Sequence, residues 1–156
     1  MEMRLQTMIP LLAGVLMGWP TPLWAEGTWE KVTPEHCDKA SAAGIKRCET
    51  TYRSKDEPNV VWKVIIYADR RKDVSEWEIN IPRTAKTTLA PILMTAAGTA
   101  ILSPDLQREK RLEFIMKLVV NAERQTSEFT TMGRYDWTSF RNDNDIVIRA
   151  TRRRGA

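Results

Sequence analysis

The residue types able to do chemistry in this sequence are few and stand far apart. His36 is the single histidine, flanked by Glu35 and Cys37. An imidazole beside a carboxyl is the minimum kit for general acid–base work, and Glu76, Glu78 and Arg83 follow as a second acid and a cation suited to phosphate. A small secreted nuclease would need a set of this kind. Each residue also has an ordinary role: His36 lies in a polar stretch, and Glu76 and Glu78 fall on the wet side of an alternating strand. No serine stands in a nucleophile-elbow sequence, and no glycine-rich phosphate loop is present. The expectation is a chain with no catalytic set and no cofactor.

The cysteines are more informative. Cys37 and Cys48 are the two in the chain. In an exported protein an even count favours a disulfide, and a single pair leaves the connectivity fixed. Metal ligation would need further partners, and the sequence offers no close cysteine pair and no second histidine. A disulfide is therefore expected and a metal centre is not. Closing so short a loop is worth about 3 kcal/mol in the chain-entropy treatment.

Two arginine groups, Arg70-Arg71 and Arg152-Arg153-Arg154, are candidate contacts for an anionic surface such as lipid headgroups or an acidic glycan. Nucleic acid is a poorer fit. The formal net charge is only +4, and Tyr135 and Trp137, which could stack on bases, share one strand face and read as core. Trp29, Trp62 and Trp77 are expected in the core too; clustered at a sheet edge they would instead line a cleft.

Residues 1–25 have the layout of a cleavable signal peptide. Arg4 precedes an apolar run from Met8 to Trp19, Pro20 and Pro22 break any helix, and Ala25 supplies a small residue at the cut. The run is shorter than the roughly 20 residues a bilayer core requires. The expectation is a leader over 1–25 and one exported domain over 26–156 with a basic C-terminal tail, periplasmic or secreted.

The elements that must position these residues follow from periodicity. Val60–Ala68 is strand-like and apolar on both alternating sets, which predicts a strand covered on both faces. After a charged turn over Asp69–Asp73, Trp77, Ile79 and Ile81 alternate with Glu76, Glu78 and Asn80, and the two segments predict an antiparallel hairpin. The segment before them, 28–51, reads as irregular, with one helical turn over Ala40–Ala43 ended by Gly44.

Leu89–Leu102 is apolar but interrupted by Pro91 and Gly98, which suggests two short buried strands or a short helix, and no membrane span. Ser103, Pro104 and Asp105 predict a helix start. The helix would run to about Thr126, with Leu112, Ile115, Val119 and Ala122 on one face. Strands over 128–140 and 145–151 close the chain, joined by Asn142-Asp143-Asn144, with Ile146 and Ile148 facing the core. This is an α+β pattern, a mainly antiparallel sheet with one long helix on a face; a β-sandwich with an inserted helix is the alternative.

Trp29, Cys37, the Arg47-Cys48 step, the strand Val60–Ala68, then Ile79-Asn80-Ile81-Pro82 and Leu89-Ala90-Pro91 follow one another in an order that resembles the invasion-associated locus B proteins of alphaproteobacterial envelopes. The resemblance spans roughly residues 28 to 101. It departs in the later half, where that family carries a second cysteine pair and this chain has no cysteine after Cys48. The helix from Pro104 also lies outside the pattern. The resemblance implies a periplasmic or outer-membrane-associated protein acting by contact, and it carries over no catalytic residue. With the leader and the disulfide, it makes the expected function that of an exported binding or envelope-accessory protein, possible partners being another envelope protein or an anionic surface. A small secreted hydrolase, nuclease-like or cell-wall-acting, is the alternative.

Overall fold

The structure is a computed structural model that describes residues 29–83, 89–126 and 129–155; the expected leader lies outside them. Chain order is β1 (Trp29–Lys31), β2 (His36–Cys37), β3 (Lys46–Ser54), β4 (Val61–Ala68), β5 (Val74–Pro82), α1 (Leu89–Leu102), α2 (Arg108–Glu123), β6 (Phe129–Met132), β7 (Tyr135–Arg141) and β8 (Asp145–Arg152). Every pairing is antiparallel, in the spatial order β1-β3-β4-β5-β8-β7-β6, and β2 joins β3 on the same side as β1. Two meanders, β3-β4-β5 and β6-β7-β8, are thus fused where β8 pairs with β5, and the helices form the connection between them.

Alternation decides which face is core. Directly paired residues share a face, so Tyr52 with Trp62, Ile66 with Trp77, and Trp77 with Ala150 and Trp137 build one continuous inner surface. Trp62, Trp77 and Trp137 are all buried and Trp29 packs against the cluster. The tryptophans close a core. Trp62 donates its indole N–H to the Met94 thioether at 3.2 Å, which ties β4 to α1. Tyr135 donates to the Val74 carbonyl at 2.7 Å, and burial pushes its hydroxyl up to about 12.

The α+β reading with a mainly antiparallel sheet holds, but the single long helix does not. Among the described residues there are two helices, and the one expected from Pro104 begins only at Arg108, after Gln107. Ser103 does not cap it. Its hydroxyl accepts from Trp137 Nε1 at 3.1 Å and donates to the Met132 carbonyl at 3.2 Å, so tertiary partners take the group a cap would have used. The apolar run 89–102 is a helix and not a strand pair. Pro91 sits in its first turn, where its missing amide has no partner to lose. Most described side chains of α1 are buried, and the half-buried Leu93, Ala100 and Ile101 are apolar too, so the helix shows no amphipathic period.

Two further corrections concern the sheet. The segment read as irregular contains β1, β2 and the first six residues of the nine-residue β3, which runs on to Ser54 and has Cys48, Thr50, Tyr52 and Ser54 as its inward residues. In place of a helical turn, Gly44 closes a tight turn by donating to Ser41 at 2.8 Å. β4 is central, as its composition suggested, but covered on one face only: Val61 is 39 % exposed on the other. The Asn142 turn behaves as its chemistry requires, Oδ1 accepting from Asn144 and Asp145 at 2.9 and 2.7 Å.

Gly98 is where α1 touches the sheet. A Cβ there would lie 3.0 Å from Trp77 Cζ2, and Trp77 is too buried to yield. Gly98→Ala should therefore destabilise by about 1–3 kcal/mol although alanine is the better helix former. A chemical-denaturation midpoint that stays put or rises would refute this close contact.

Candidate functional site

In this topology the first residue of β3, the last of β4, the first of β5, the last of β8, the first of β7 and the last of β6 share one end of the sheet. The β4–β5 turn brings Arg70, Arg71 and Lys72 there, the β6–β7 turn brings Arg134, and β8 delivers Arg152, Arg153 and Arg154. Lys46 opens β3 at the same end. The two arginine groups singled out in the sequence, some eighty positions apart, thus meet on one surface.

Their partners divide them. Asp73 takes Arg152, half-buried, as a close ion pair and Arg134 at 3.5 Å. Arg153 donates to the Gly133 carbonyl at 2.8 Å. Arg70, Arg71, Lys72 and Arg154 are exposed and form no ion pair among the described residues. The β4–β5 turn is held from within: Asp69 Oδ1 accepts from the backbone N–H of Arg71 at 2.8 Å and of Asp73 at 3.0 Å. An open cleft of about 670 Å³ runs between Tyr67, Asp73, Arg134 and Arg152–Arg154.

A second cleft, about 470 Å³, adjoins it and shares the β4–β5 turn; Glu35, Cys37, Gly44, Lys46, Arg70 and Lys72 are among its walls. Cys37 and Cys48 face each other in the β2–β3 register and form the expected disulfide, with Cα atoms 4.1 Å apart. Cys37 is exposed and Cys48 buried. Glu35 Oε1 lies 3.1 Å from Cys37 Sγ, and Glu35 Oε2 is buried with no hydrogen-bond partner. Burial raises this carboxyl above the usual range against the opposing charge of Lys31. Ligand atoms of Glu35, Cys37 and Cys48 lie within 4.8 Å of one another, but both sulfurs are committed to the disulfide and supply no thiolate.

The residues of a hydrolase are not brought together. His36, Glu49, Ile65 and Glu78 occupy one row of the outer face, so three strand spacings, about 14 Å, separate the imidazole from the carboxylate. His36 instead lies 3.5 Å from Asp38. Glu78 accepts from Arg149 at 2.7 Å, and Arg149 reaches Glu76 at 3.4 Å. Arg83 stands at the far end of β5 beside Asn142 and Glu123. Glu76 is raised by its burial, opposed by Arg149, while the hydrogen bond from Arg47 lowers Glu49. These carboxylates and arginines form a solvated ionic lattice.

The sequence reading missed Lys46, Lys72 and Arg134, and offered Glu35 only as an acid beside His36, not as a neighbour of the bridge. Arg134 becomes visible once 128–140 is divided at Gly133, whose φ of 59° marks a turn. The burial of Glu35 carries no sequence signal, since it comes from the register of β2. Comparison with protein-family models, with curated proteins and with solved structures returned no match.

Proposed function

We propose that this chain is an exported, non-catalytic envelope-accessory protein, periplasmic or secreted, that docks through the basic end of its sheet onto anionic lipid headgroups. The observation that carries this reading is the meeting of Arg70, Arg71 and Arg154 at one end of the sheet, exposed and without intramolecular ion pairs among the described residues. A cation near an anionic membrane surface contributes about 1 kcal/mol, so several acting together give a useful, salt-sensitive affinity where a lone one would not. The disulfide suits an oxidising compartment. No helix of the described residues is long and apolar enough to cross a membrane.

The test is cosedimentation with vesicles of phosphatidylglycerol and phosphatidylcholine at low salt. Binding is expected to fall about fivefold for each of Arg70→Gln, Arg71→Gln and Arg154→Gln and to weaken as salt rises. Equal binding to pure phosphatidylcholine, or a triple variant that binds like the wild type, would sink the proposal.

A further inference from the structure

We propose that the Cys37–Cys48 disulfide is an exchangeable one, opened by a thiolate of a partner dithiol with Glu35 as the proton donor to the departing sulfur. This is independent of the lipid reading. A disulfide sulfur carries no hydrogen, so the 3.1 Å contact between Glu35 Oε1 and Cys37 Sγ is a hydrogen bond only if the carboxyl is neutral and donates. Burial of Glu35 favours that neutral form. Its second oxygen has no partner, and the fully buried Thr50 hydroxyl has none either. The register that pairs His36 with Glu49 and Cys37 with Cys48, continued by one residue, sets Thr50 opposite Glu35. Two buried polar atoms without hydrogen-bond partners, at opposed backbone positions next to the bridge, are costly in a mere staple. They suit a site where a carboxyl ionises and a neighbouring hydroxyl can donate to the new carboxylate.

The step balances. The incoming thiolate attacks Cys37 Sγ, the exposed sulfur at the open side of β2, and its electron pair forms the new S–S bond. The old S–S pair leaves with Cys48 Sγ, and the Glu35 carboxyl, in contact with Cys37 Sγ and within 4.8 Å of both sulfurs, turns from the attacked sulfur to the departing one and delivers its proton there. The second thiol then gives its proton to the Glu35 carboxylate and attacks the dithiol sulfur of the mixed disulfide; Cys37 Sγ leaves with the bond's electron pair and takes that proton back from Glu35, so the dithiol departs as its own disulfide and Cys37 and Cys48 are both thiols. Lys46, Arg70 and Lys72 line the cleft and favour the approach of an anion. Lys31 of β1 is the charge that acts on Glu35; Glu35 in turn acts on Tyr52 of β3, and Lys46 of β3 and Asp69, Arg70 and Lys72 of the turn line the same cleft. Helix α1 adds no titratable residue.

The test is the rate at which dithiothreitol reduces the native disulfide between pH 5 and pH 8, trapped with iodoacetamide. The wild-type rate should level off above the titration of Glu35, because each gain in thiolate is offset by loss of the acid. Glu35→Gln should instead rise about tenfold per pH unit. It should also be at least about tenfold slower than wild type at the acid end. Glu109→Gln, an exposed carboxyl on α2, should keep the wild-type profile. Parallel profiles for wild type and Glu35→Gln overturn the proposal. If Glu35→Gln does not fold, the wild-type profile decides alone, and a tenfold rise per unit across the whole range overturns it.

Discussion

Replacing Trp137 by alanine is expected to remove about 4 kcal/mol of folding stability. The side chain is fully buried, with its ring 5.9 Å from Trp77 in a tilted contact and 5.9 Å from Phe114 in an edge contact. It therefore joins β7 to β5 and to α2 at once. Truncation of a buried tryptophan costs about 3–5 kcal/mol through lost transfer energy and the cavity left behind. Here it also takes away the donor to Ser103 Oγ. Trp137→Phe, which keeps a ring but not the N–H, should cost roughly half as much. Since domains of this size are stable by about 5–15 kcal/mol, the alanine variant should sit near the margin. Urea unfolding at an unchanged slope reads the difference; a loss below about 1 kcal/mol would mean that the inner face is not packed as described.

The two cysteines should not be equivalent. Cys37→Ser and Cys48→Ser both delete the bridge and share its loss of about 3 kcal/mol. Cys37 is exposed, so its serine hydroxyl meets water. Cys48 is 6 % exposed on the inner face of β3, next in its row to the unpartnered Thr50 hydroxyl. A second unpartnered hydroxyl there should add about 1–3 kcal/mol. Thermal melts of both variants without reductant measure the gap, and equal melting temperatures would show that the Cys48 side of the bridge is wet. The comparison also bears on exchange, because the buried sulfur is the one assigned to leave.

Much of the sheet was legible because its inward residues are apolar. Trp77, Ile79 and Ile81 on β5 and Ile146 and Ile148 on β8 announce their face by alternation, and all five are buried. β3 was hidden because its inward set, Cys48, Thr50, Tyr52 and Ser54, is mostly polar, so the period of two exists in burial but not in hydropathy. α1 was ambiguous for the opposite reason: a segment buried all round has no polar face to count against. Ser103 misled because a helix start and a tertiary hydrogen bond draw on the same hydroxyl, and the sequence does not say which partner wins. The candidate site was legible in its parts, Arg70, Arg71 and Arg152–Arg154, but not as a surface. Only the strand order, set by β8 docking on β5 from some seventy positions away, brings them to one end. Glu35 and Cys37, two positions apart, share a face in extended chain, but the burial that gives the contact its meaning depends on the register of a two-residue strand, which no spacing encodes.

The strand lengths have a consequence for solubility. A wide open sheet presents two rims of unsatisfied backbone, and long flat rims recruit strands from other molecules. Here one rim is β6, four residues long. The other is split between β1, three residues, and β2, two residues, set end to end along β3 with the bridge pinning the shorter piece. Among the described residues, neither rim offers a ladder long enough to template a neighbour's strand, so the nine-residue interior strands stay out of reach of intermolecular pairing.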